Sequence, residues 1–151
     1  MNISLLKVIT TLSVLIGLAC GFIALLPYLN GISIFVLVCL SSIIVISILM
    51  KLNLLKFETV PESITIGGII GFVSSIAFLV VYVPLAVLLI KVFKYAANYG
   101  VSLALVHSNL FLIIVMSIFL AAFVATVNGL TSLGIFYICK FIDNLNNNNQ
   151  Q

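Results

Sequence analysis

The chain has no arginine and no tryptophan, one histidine, and only three acidic residues, Glu58, Glu62 and Asp143. Charged residues fill 6% of its 151 positions, whereas soluble domains carry roughly a quarter, so a water-facing surface cannot be assembled from this supply. The net charge of +3 comes from six scattered lysines, Lys7, Lys51, Lys56, Lys91, Lys94 and Lys140. With no glycine-rich phosphate loop and no basic aromatic surface, nucleotides and nucleic acid have nothing to bind. The three cysteines, Cys20, Cys39 and Cys139, form no CxxC pair and read as small apolar fillers, so neither a metal site nor a cofactor is expected.

What is present is hydrocarbon. Hydrophobic residues make up 64% of the chain and the mean hydropathy is +1.45. Four apolar segments stand between polar punctuation, at 8–26, 32–50, 64–90 and 110–138. At about 1.5 Å per residue the first two reach roughly 28 Å and the last two roughly 40 Å or more, against a hydrocarbon core of about 30 Å. Backbone polar groups in that core must be satisfied internally, and runs without strand-like alternation select helices over a barrel. The expected fold is therefore an all-α integral membrane protein with four transmembrane helices in two antiparallel hairpins. The third and fourth helices exceed the bilayer thickness and are expected to tilt, kink or break. No connecting segment is large enough for a soluble core, and 144–151, "NLNNNNQQ", reads as a disordered polar tail.

Local signals place the ends. Thr59 and Glu62 have capping-box spacing with Pro61 in the first turn, so the third helix should begin near Val60. "PYLNG", residues 27–31, reads as a tight turn joining the first two helices. Residues 101–106 are too few to span and read as an interfacial or shallow re-entrant segment. The N-terminal "GLAC" resembles a lipoprotein signal, but Gly17 stands where a bulky residue is usual and the apolar run continues past Cys20, so an uncleaved first helix is expected. Cytoplasmic termini place four lysines inside and two outside, which the positive-inside rule favours. The expected location is thus the inner membrane, and the wealth of Lys, Asn and Ile without Arg suits an AT-rich bacterial genome.

Under this topology His107 lies across the membrane from every carboxylate, roughly 30 Å away, so a Ser-His-Asp arrangement cannot form and no catalytic residue is expected. No Asp or Glu falls within a span, which disfavours a proton-driven carrier.

Two patterns remain. Small residues recur at spacing four: Ser13, Gly17 and Gly21 on the first helix, Gly67, Gly71 and Ser75 on the third, Ser117, Ala121, Ala125 and Gly129 on the fourth. Each series lies on one face, where a neighbouring backbone can approach closely, either within the bundle or across to another subunit. Polar groups also share a depth: Ser41 and Ser42 on the second helix, Ser74 and Ser75 on the third, and Asn128 on the fourth, with Thr131 and Ser132 in the next turn completing a candidate polar cluster. They are either interhelical glue or a solute or ion site, the latter made by unwinding the fourth helix at Asn128 and Gly129, as in broken transporter helices. Pro84 removes a backbone hydrogen bond and should kink the third helix.

The expected function is a non-enzymatic packing or accessory subunit of a membrane assembly. Its partners would be the lipid bilayer and either a second copy of the chain, as a homo-oligomer, or another membrane subunit, and no nucleic acid. The alternatives are a small carrier or channel for an ion or uncharged solute, and a holin-like oligomeric pore.

Overall fold

The computed structural model describes residues 3–96 and 98–148. Among these there are helices and connecting turns and no strand. In chain order they are α1 (Ile3–Ile23), α2 (Asn30–Phe35), a π-helical turn (Val36–Leu40), α3 (Ser41–Lys51), α4 (Val60–Phe93), α5 (Tyr99–His107) and α6 (Leu110–Asn148). Four helices are long and apolar enough to cross a membrane: Ile3–Ile23, Asn30–Lys51, Val60–Phe93 and Leu110–Leu145. The second of these is α2, the π turn and α3 read as one rod.

The α4 start follows from its sequence. Glu62 donates its N–H to Thr59 Oγ1 at 3.4 Å. The carboxylate of Glu62 reaches back one residue beyond the cap, accepting from Glu58 N–H at 3.2 Å rather than from Thr59 itself. At the other end Lys94 takes a left-handed conformation (φ 53°), and the N–H groups of Lys94 and Tyr95 turn back to the carbonyls of Ile90 and Leu89. The turn between α1 and α2 is tighter than its glycine suggests. Tyr28 carries the positive φ, 67°, while Gly31 already lies in the first turn of α2.

Two sequence expectations need correction. The helix through Asn128 and Gly129 is not unwound, because α6 is continuous from Leu110 to Asn148. The irregular backbone lies instead in the facing second span, at Val36–Leu40. The segment from 144, read as disordered, is helical as far as Asn148, and the three residues beyond lie outside the described residues. Extending a long helix by a turn needs no new nucleus, so polar Asn residues can be carried along. The segment after Tyr99 forms the nine-residue α5, capped by Asn98, whose side chain accepts from Val101 N–H at 3.2 Å.

Helix α4 is the spine of the bundle. On one side it meets α1, where a methyl added to Gly17 would overlap the Ser74 carbonyl and stand 2.8 Å from Ala77 Cβ. One added to Gly21 would lie 3.1 Å from Phe78 O. On the other side α4 meets α6. A methyl on Gly71 would stand 2.7 Å from Val124 O, and one on Gly67 would overlap Asn128 O. Gly129 answers from α6, with Ile64 O 3.3 Å from where its Cβ would be. Such distances are reached only where no side chain separates two backbones. Apolar packing is divided between two clusters. One is centred on Ile9, Val45, Ile46, Leu49, Ile66 and Ile70, and the other on Cys20, Leu37, Phe78, Tyr82 and Val124.

Candidate functional site

Asn128 is fully buried, and α6 aims its carboxamide at the π turn of the second span. A π turn widens the helix by one residue and leaves backbone groups that do not fit the regular ladder. The carboxamide enters that opening as a peptide unit would. Its Oδ1 accepts from Ser42 N–H at 2.8 Å and from Ser41 Oγ at 2.8 Å. Its Nδ2 donates to the carbonyls of Val38 at 3.0 Å and Leu37 at 3.2 Å, and to Val124 O, one turn back in its own helix, at 2.9 Å. Two N–H hydrogens are thus shared among three carbonyls, and both faces of the amide are engaged.

Thr131, three residues on, extends the seam. Its hydroxyl donates to Asn128 O at 2.9 Å, which leaves its oxygen to accept from Ser42 Oγ. Of the seven polar residues grouped in the sequence, the structure therefore joins four: Asn128, Thr131, Ser41 and Ser42. Ser132, the next residue around α6, points to α4 and donates to Ser63 O at 2.6 Å. Ser74 stays within α4, donating to Gly71 O at 3.2 Å, and presents its backbone to Gly17. Ser75 Oγ is buried with no hydrogen-bond partner among the described residues. Equal depth placed these groups on one level, but helix rotation decides which neighbour each faces, and α4 turns Ser74 toward α1.

A second polar knot escaped the sequence reading. Asn30, read as a turn residue, is buried, and its Nδ2 donates to Ala24 O at 3.0 Å and to Tyr82 Oη at 3.4 Å. Ser33 donates to Cys20 O at 2.5 Å. These bonds tie the end of α1 to the second span and to α4. The signal is in the sequence: Asn30, Ser33 and Ser41 stand at i, i+3 and i+11, one polar stripe on a helix whose apolar run begins only at 32.

Five glycines of the small-residue series stand close against another helix. Gly17 and Gly21 face α4, Gly67 and Gly71 face α6, and Gly129 faces α4. Ala121 is buried and Ala125 approaches Gly71. Pro84 lies inside α4, which continues through it. The three cysteines are free, and no group of three or more His, Cys, Asp or Glu among the described residues is placed to hold a metal ion. His107 ends α5, which follows the C-terminal end of α4, whereas Glu62 stands in the first turn of α4 and Glu58 just before it.

The fold defines the class, an all-helical chain with four helices long and apolar enough to cross a membrane, in which Asn128, Thr131, Ser41 and Ser42 bond one helix to another. No family model, no curated protein and no solved structure matches the chain.

Proposed function

We propose that this chain is a non-enzymatic packing or accessory subunit of a membrane assembly. In this reading its four helices cross the inner membrane of a bacterium as two antiparallel hairpins. Both termini are cytoplasmic and α4 bends at Pro84. The observation that supports the reading best is the saturation of Asn128: its acceptor and donors are all committed to Ser41, Ser42, Leu37, Val38 and Val124. A carrier needs polar groups that can exchange a protein partner for a solute, and an unbroken α6 withholds its carbonyls from that exchange. What the chain offers instead is a rigid apolar body to be embedded among other membrane components.

Affinity purification of the tagged chain in a mild detergent, followed by quantitative mass spectrometry, tests the proposal. A membrane partner in near-stoichiometric amount is the expected result. A chain that purifies alone and drives solute flux in proteoliposomes would overturn it in favour of a carrier, and lysis on overexpression would overturn it in favour of a holin-like pore.

A further inference from the structure

The half of α6 preceding Ala121 stands away from α4, and the gap is a lateral crevice of about 420 Å³. Leu37, Phe78, Val83, Met116 and Leu120 line it, together with Leu105 of α5. A second crevice of about 340 Å³ lies across the same seam, and the two share Leu79, Val83, Ile113 and Ser117. The larger volume falls in the range of ligand pockets, yet it offers almost no polar surface. The Tyr82 hydroxyl on its wall is already engaged by Asn30. Water has too few partners there, so the occupant is hydrocarbon.

Charge names the rest of that occupant. Lys91 and Lys94 are exposed and follow Val83 along α4 by about 12 and 16 Å at the helical rise. Glu58 and Glu62 lie at the far end of α4, about 43 Å or more from Lys91 by the same rise, and Asp143 lies at the far end of α6. This end is therefore cationic without a carboxylate to neutralise it among the described residues. Beside it the Tyr95 hydroxyl is enclosed without a hydrogen-bond partner. We infer that the crevice holds one acyl chain of an anionic phospholipid whose phosphate sits at the level of Lys91 and Lys94. Hydrocarbon burial below and lysine attraction above act on the same molecule, which separates it from the bulk lipid that merely coats the other faces.

The test uses the full chain reconstituted in vesicles with spin-labelled phosphatidylglycerol or phosphatidylcholine. It is paired with lipid mass spectrometry of the protein purified in mild detergent. The expected result is about one tightly held phospholipid per chain, with phosphatidylglycerol preferred on the order of thirtyfold from two lysines. Lys91→Gln with Lys94→Gln should abolish the preference while leaving the helical circular dichroism unchanged. Ser117→Phe, which fills the seam, should lose the immobilised signal. If that chain does not fold, Ala104→Phe obstructs the same crevice from α5. Retention by a folded crevice-filled variant equal to that of the parent overturns the inference, and so does a headgroup preference that survives both lysine changes.

Discussion

Helix α6 is one continuous apolar rod whose two halves keep different company. From Ala121 to Phe136 it buries Ala121, Val124, Asn128, Gly129, Ser132 and Phe136 against α4 and the second span. From Leu110 to Leu120 it leaves its large side chains outside, with Phe111 73% and Phe119 70% exposed. Hydrophobicity cannot explain the contrast, because in lipid both halves are equally at home. Size and hydrogen bonding can. The first half of α6 carries Ile113 and Leu120 along the crevices and has no glycine on that seam. The second half meets α4 through Gly67, Gly71 and Gly129, and there the backbones touch. Van der Waals contact grows only in the second half, and Asn128 then locks it to the second span.

The sharpest way to break this comparison is a single methyl group. Gly71→Ala places a Cβ 2.7 Å from Val124 O and 2.8 Å from Asn128 Cβ, so α4 and α6 must separate. We expect a loss of about 3 kcal/mol in reversible unfolding in mixed micelles. Gly68→Ala is the internal control. Its nearest obstacle, Ala125 O, is 3.9 Å away, and the gain in helix propensity should make that variant neutral or slightly more stable. Equal behaviour of the two would refute the claim that backbone contact defines the tight half.

Next in size is the lock itself. Asn128→Leu removes the acceptor of Ser42 N–H and the donors to Leu37 and Val38, with a cost of about 1 to 2 kcal/mol expected for membrane hydrogen bonds. The location of the effect tells more than its size. Amide hydrogen exchange should accelerate at Ser42 and through Val36–Leu40, while α6, whose own ladder does not use the side chain, should keep its protection. Faster exchange in α6 at 125–134 would mean that the break expected from the sequence does exist there.

These two tests also mark what could be read from residues alone. The four apolar helices and the α4 start at Val60 were legible because they depend on composition and on spacing along one helix. The Asn128 residue was legible as a polar group at the wrong depth. Its partner was not, because a π turn in "VLVCL" has no signature in that apolar run and is stabilised by an amide that arrives 90 residues later. The adjacent Asn-Gly pair left room for a broken α6 under the solute-site alternative, but Gly129 packs closely on Ile64 and its own helix is continuous. Asn30 was misread for a related reason: a turn signal and a buried tether look the same until Tyr82 is placed beside it.

The smallest expected effect lies in the loose half, and it sharpens the comparison by failing to hurt. Ser117 belongs to the same spacing-four series as Ala121, Ala125 and Gly129, so the sequence pattern alone would make its enlargement as damaging as that of Gly71. In the structure it is half-buried and borders both crevices. Ser117→Leu therefore adds hydrocarbon where no helix backbone stands against it, and unfolding free energy should change by no more than about 0.5 kcal/mol in either direction. The same micelle assay used for Gly71→Ala reads it. A loss approaching that of Gly71→Ala would show that α4 and α6 close upon each other along their whole length, and the division of α6 into a tight and a loose half would then have to be abandoned.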